Sequence, residues 1–292
     1  MRSELFREEF FLKDVMKTYV ESYADFGKML FVESGDIKLG ISLDFGIRIS
    51  YLSYKASENL FFEQPKDMTE LASDEGWRVR GGHRVWLAPE SERDYYPDNL
   101  PISYEISNEK ITVYQPEDEY LKVKKRIEIS FDSDNTVRVV NKLQNTDIVC
   151  RRFSVWAVTS MAGGGTEYIP LKYGNMSYSP VSRVSMWFYT DLGDKRAEYT
   201  PGLIKLSHAP YPTRYKIGVG HPNGSVKYVN RGVTFEKIFD VFEQREYPDG
   251  NVSFETFMCD HMVEVESLSP LFDVAPNGTV SHTELWRLSE QN

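Results

Sequence analysis

A chain of 292 residues, 41% hydrophobic and 14% aromatic, has ample material for one sizeable core. A formal charge of -10 at pH 7 and a pI near 5.2 exclude the basic surface that nucleic acids and anionic membranes require. The charged first stretch has no apolar signal region, and no run approaches the roughly 18 apolar residues of a membrane helix, so a cytoplasmic protein is expected.

Residues 1–27 read as an N-terminal helix or arm packed on a single domain spanning residues 28–292. Leu5, Leu12, Val15 (or Met16), Tyr19 and Tyr23 recur there at helical spacing among Glu, Lys and Asp. Alternation then takes over. Ile37, Leu39, Ile41, Leu43 and Phe45 are apolar, with Lys38, Ser42 and Asp44 between them, the mark of a strand with one buried side. Leu121 to Phe131 repeats the pattern, except that Lys125 falls on the apolar side, as a bulge or as a buried amine. After the turn Asp132-Ser133-Asp134-Asn135, Val137, Val139 and Leu143 alternate with Arg138 and Lys142, completing a hairpin.

Further strands are expected at 102–107, 111–115, 152–161, 184–189, 216–219, 226–230, 234–242, 253–258, 262–268 and 283–288. Turns such as Pro116-Glu117-Asp118, His221-Pro222-Asn223-Gly224, Tyr247-Pro248-Asp249-Gly250 and Ala275-Pro276-Asn277-Gly278 separate most of them. With no βαβ rhythm, internal repeat or linker, the pattern predicts packed antiparallel sheets. Cys150 and Cys259 are too few for a disulfide framework and are expected as buried free thiols. Sequons at Asn175, Asn223, Asn251 and Asn277 are read as chance.

No nucleophile elbow, phosphate loop or dinucleotide fingerprint occurs, and the histidines at 83, 208, 221, 261 and 282 never fall at metal-ligand spacing. Neither cofactor nor metal is therefore expected. The densest segment is Gly81-Gly82-His83-Arg84-Val85-Trp86-Leu87-Ala88-Pro89-Glu90. In a strand, Val85 and Leu87 take the core side and carry His83 with them, while Arg84 and Trp86 turn to the wetter face. An indole beside a guanidinium suits a sugar, whose C–H face stacks on the ring while the fork bonds two hydroxyls. A core Trp with an Arg snorkelling past it fits the same residues.

In Met262-Val263-Glu264-Val265-Glu266-Ser267-Leu268-Ser269-Pro270 the two carboxylates share a strand face, about 7 Å apart. Mutual repulsion would raise one pKa toward the range of a general base; a merely exposed acidic face is the plain alternative. Arg48 and Lys237, single charges among apolar neighbours, are candidates to line a groove.

Taken in order, Leu43-Asp44-Phe45-Gly46-Ile47-Arg48-Ile49, the 81–90 segment, Trp156-Ala157-Val158-Thr159-Ser160-Met161-Ala162-Gly163-Gly164 and the closing stretch from Tyr247 to Trp286 resemble the galactose mutarotase-like (aldose 1-epimerase-like) proteins. The likeness spans roughly 30 to 290 and leans toward a side branch of that superfamily. It implies an all-β supersandwich of large antiparallel sheets with a concave groove for a sugar. It also implies isomerase chemistry: a Glu near the C-terminus takes the anomeric hydroxyl proton while a His protonates the ring oxygen. Glu266 fits that base best and Glu264 second. The stretch that carries the family's His reads Thr159-Ser160-Met161-Ala162 here; His83 could substitute only off a regular strand. Arg84, Trp86, Glu90, Arg48, Trp156 and Lys237 are then the substrate-binding candidates. A sugar epimerase is the first reading and a non-catalytic carbohydrate-binding protein the second. An oligosaccharide lyase or hydrolase, with Glu90 and Glu266 as its carboxylate pair, is the third.

Overall fold

The computed structural model describes residues 16–107, 109–132, 134–172, 182–220 and 222–291. Leu5, Leu12 and Val15 of the N-terminal pattern, with Ser133, Asn175 and His221, lie outside them. In chain order the strands are β1 (Lys17–Ser22), β2 (Lys28–Ser34), β3 (Ile37–Ser42), β4 (Arg48–Tyr54), β5 (Gly82–Ala88), β6 (Ser103–Ile106), β7 (Ile111–Tyr114), β8 (Val123–Asp132), β9 (Thr136–Asn145), β10 (Arg151–Ala162) and β11 (Thr166–Pro170). They continue as β12 (Arg183–Met186), β13 (Ala197–Thr200), β14 (Leu203–Ser207), β15 (Tyr215–Gly220), β16 (Ser225–Asn230), β17 (Val233–Phe239), β18 (Phe254–Met258), β19 (Met262–Leu268), β20 (Phe272–Val274) and β21 (Thr279–Glu290).

These strands form two antiparallel sheets. One has 11 strands in the order β1-β2-β3-β4-β5-β10-β19-β18-β15-β12, with β20 attached to β10. The other has 10 strands in the order β13-β14-β11-β16-β17-β21-β9-β8-β7-β6. Alternating apolar side chains turn the two sheets toward each other, because the shared space is where both can shed water. Val85 and Leu87 of β5, Val155 of β10, and Val263 and Val265 of β19 join one cluster with Ile127, Val139, Phe235 and Trp286 of the second sheet. The opposite, outer face of the 11-stranded sheet carries a smaller cluster that includes Trp77, Trp86, Trp156 and Met262.

The strand expected at 262–268 is β19, and the hairpin expected from 121 to 143 is β8 and β9, in register from Val123↔Asn145 to Asp132↔Thr136. Lys125 sits in that unbroken ladder as a buried amine, neutralised by Asp118 at 3.2 Å.

Residues 17–22, expected as part of a helix or an arm packed on the domain, add an edge strand to β2, from Lys17↔Glu33 to Ser22↔Lys28, with Tyr19 stacked on Phe31. The open backbone groups of β2 supply pairing that local helical spacing cannot outweigh. Cys259 is buried as expected, but Cys150 is exposed between β9 and β10.

Candidate functional site

Five neighbouring strands at the middle of the 11-stranded sheet build the site. Antiparallel partners point to the same face, so the register lays three rows of side chains across the outer face. One row is Trp86–Trp156–Leu268, the next Arg84–Val158–Glu266–Glu255, and the third Ser160–Glu264–Phe257–Lys216. Loops close over them to leave a hollow of about 280 Å³. Its aromatic wall is Trp77, Trp86, Tyr95, Trp156, Tyr189 and Phe257, and its charged lining is Arg84, Glu90, Arg214, Lys216 and Glu264.

Arg84 is fixed from two sides. Its Nη1 donates to Glu264 Oε1 at 2.9 Å and to Ser160 Oγ at 3.2 Å, and the Ser160 hydroxyl donates to the same carboxylate oxygen at 2.8 Å. The guanidinium carbon lies 4.3 Å from the Trp86 ring centroid, so the indole holds the fork by a cation–π contact. Arg84 Nε has no partner among the described residues.

Glu266 sits one layer deeper and adds no surface to the hollow. Trp156 Nε1 donates to its Oε2 at 2.8 Å, Lys216 Nζ lies 3.5 Å from the same oxygen, and Oε1 has no partner among the described residues. Burial pushes the Glu266 carboxyl up to about 7 against the pull of Lys216, with Glu264 adding a smaller push. The repulsion expected from the sequence is therefore present but secondary to desolvation. Lys216 also lies 2.9 Å from Glu255 and 4.6 Å from the ring centroids of both Trp156 and Trp187. Burial disfavours its ammonium, yet Glu266 and Glu255 hold its pKa well above the usual value. Among the described residues, no group of three or more His, Cys, Asp or Glu side chains is arranged to hold a metal ion.

The structure thus gathers Arg84, Trp86, Glu90, Trp156 and Glu264 on one hollow, with Glu266 beneath it. Three other candidates lie elsewhere. His83 faces the second sheet, its ring nitrogens 2.9 Å from Thr159 Oγ1 and from Asn141 Oδ1, and burial drops its pKa to about 4. The strand there is regular, so alternation turns His83 away from Arg84, and it supplies no acid to the hollow. Lys237 is fully buried between the sheets, bonded to Glu284 at 2.8 Å and to the carbonyls of Ala157 and Val265. Arg48 pairs in register with Arg84 but turns to Asp98 at 2.9 Å, off the hollow. Glu90 accepts a hydrogen bond from the Tyr95 hydroxyl; with Glu266 under the floor, the two do not face each other across the hollow.

Sequence reasoning missed Lys216, Glu255, Trp77, Tyr95, Tyr189 and Arg214. For Lys216 and Glu255 a signal existed: each alternates with core residues, Ile217 and Val219 in one strand, Phe254 and Thr256 in the other. A second hollow of about 260 Å³, on the outer face of the other sheet between Glu105 and Arg126, has only Tyr114 as an aromatic wall. It lacks the stacking surface of the first.

Two large antiparallel sheets packed face to face, with an aromatic and charged hollow on one outer face, define an all-β protein of the galactose mutarotase-like fold. Solved structures share it. A galactose mutarotase-like protein from Lactobacillus casei superposes with a TM-score of 0.58 at 12% identity, covering 89% of this chain and 100% of that one. A galactose mutarotase-like protein from Clostridium acetobutylicum gives 0.55 at 12% identity, covering 96% and 100%. A TPR-domain containing protein from Parabacteroides distasonis gives 0.62 at 15% identity; 91% of this chain is covered, and it spans about half of that longer protein, 47%. No protein-family model and no curated protein sequence matches the chain. At such identities the likeness establishes the fold.

Proposed function

We propose that the outer-face hollow binds a single sugar unit, with the C–H face of the ring against Trp86 and hydroxyls on Arg84, Glu264 and Glu90. The observation that carries this reading is the Arg84–Glu264 couple at 2.9 Å, held against the Trp86 indole in a hollow of about 280 Å³. A guanidinium and a carboxylate fixed side by side offer a donor and an acceptor to neighbouring hydroxyls, and the indole supplies the apolar plane. The volume lies near the lower end of ligand pockets, roughly 300–1,000 Å³, which favours a monosaccharide over an oligosaccharide chain. The solved relatives named for galactose mutarotase support the same ligand class. Titration of intrinsic tryptophan fluorescence with α-D-glucose and α-D-galactose tests it. A saturable change that needs about tenfold more sugar in W86L is expected; unchanged spectra and melting temperatures with both sugars would end the reading.

A second reading adds turnover at the anomeric carbon. Opening a cyclic sugar needs an acceptor for the anomeric hydroxyl proton and a donor to the ring oxygen. Reach decides between the two carboxylates before pKa does, and Glu264 lines the hollow while Glu266 does not. Glu264 is accordingly the base in this reading. Polarimetry on freshly dissolved α-sugars checks it: the protein should speed relaxation, and a buffer-rate decay with binding retained would leave a binder without chemistry.

A further inference from the structure

We infer that Lys216 is the proton donor of this site, delivering a proton to the ring oxygen and regaining it on reclosure, with the Glu255–Glu266 pair behind it holding the amine charged. The inference rests on the turnover reading above. It starts from an imbalance: two buried carboxylates, Glu255 and Glu266, share one ammonium, and each keeps one oxygen without a partner among the described residues. Burial raises both carboxyl pKa values, with Lys216 opposing in each case. Asp249, hydrogen-bonded to Glu255, adds a third carboxyl, and Glu90 and Tyr189 face the ammonium from the hollow side. The pair therefore keeps Lys216 charged, and Lys216 lines the hollow while Glu255 and Glu266 do not.

The competing donors fall short. Arg84 and Arg214 keep their protons, because a guanidinium does not ionise in a protein. The Ser160 hydroxyl is spent on Glu264, and the Tyr95 hydroxyl on Glu90. Tyr189 makes no hydrogen bond to Glu255 or Glu266 among the described residues, so neither carboxyl is coupled to it as both are to Lys216. Lys216 and Glu264 occupy the same register row two strands apart, about 10 Å between backbones, so their side chains can close on one ring from opposite ends.

The step balances without a redox change. Glu264 takes the proton of the anomeric hydroxyl, that oxygen forms the carbonyl, the bond from the anomeric carbon to the ring oxygen breaks, and the ring oxygen takes a proton from Lys216 Nζ. The products are the open-chain aldehyde, protonated Glu264 and a neutral amine. Reclosure on the other face reverses both transfers, so Lys216 regains the proton it gave.

Polarimetry with α-D-glucose and α-D-galactose, alongside fluorescence affinity, tests the assignment on wild type, K216M, K216R and K216A. The enzymatic rate should fall about 100-fold or more in K216M and K216R, with affinity within about threefold of wild type. K216R matters most, because it keeps the charge but not a transferable proton, and it carries the test if K216M fails to fold. Added methylammonium should restore rate to K216A, which a purely structural lysine would not allow. Rates in K216R and K216M equal to wild type, or a loss confined to affinity, would overturn the inference. So would a wild type that binds sugar without speeding relaxation, while leaving the sugar-binding reading intact. Absence of any binding would instead remove that reading as well.

Discussion

The two sides of the 11-stranded sheet meet similar charges and treat them differently. On the inner face, Lys237 bonds Glu284 and two carbonyls, both nitrogens of His83 have partners, and Glu284 is bonded by Lys237, Ser267 and Trp286. Among the described residues, Asn141 Nδ2 and Glu167 Oε1 lack partners between the sheets, whereas Arg84 Nε, Glu255 Oε1 and Glu266 Oε1 lack them beside or beneath an open hollow. A buried charge is tolerated when its bonds are complete, and completing them uses up the capacity to bind anything else. Unfinished bonding next to a cavity is what makes the outer face the candidate site.

Four substitutions would break or sharpen this contrast. The largest effect belongs to the inner face: K237M leaves Glu284 buried and unpaired and should cost about 3–5 kcal/mol in urea unfolding. Next, E264Q should lower the polarimetric rate about 100-fold while affinity falls less than about tenfold, because the amide still fills the place beside Arg84.

E266Q should act on stability and its pH dependence. A carboxyl lifted to about 7 in the fold binds its proton more tightly than in the unfolded chain. Its contribution is present at acid pH and is lost as pH rises through about 7. E266Q should therefore match wild type near pH 4.5 and exceed it at pH 8, by on the order of 2 kcal/mol in denaturant midpoints followed across pH. His83 and His282 run the other way: burial drops each to about 4, so their contribution is full above 6.5 and declines as pH falls toward 4. A stability difference between E266Q and wild type that stays the same from pH 4.5 to 8 would contradict the Glu266 assignment. The smallest effect is W86L, which should weaken sugar binding about tenfold through loss of the stacking plane.

How much of this was legible in the sequence follows from where the information lies. Alternation placed Arg84 and Trp86 opposite Val85 and Leu87, and Glu264 opposite Val263 and Val265, because those apolar neighbours fix which face is dry. The same rule places Lys237 with Phe235 and Phe239 on the core face, a clue outweighed by its charge. Alternation with Ile217 and Val219 could have put Lys216 on the outer face, but its meeting with Glu266 comes only through the strand order β19-β18-β15, which no local pattern encodes. The covering of Glu266 by Trp156 and Lys216 is equally non-local. β1 was missed because an edge strand takes its conformation from the backbone it pairs with, here β2.

A crystal structure with α-D-galactose at saturating concentration tests the account most directly. One ring should lie against the Trp86 indole, with hydroxyls in hydrogen-bond reach of Arg84 and Glu264. A ring seated on another face, or a hollow holding only water at that concentration, would contradict it.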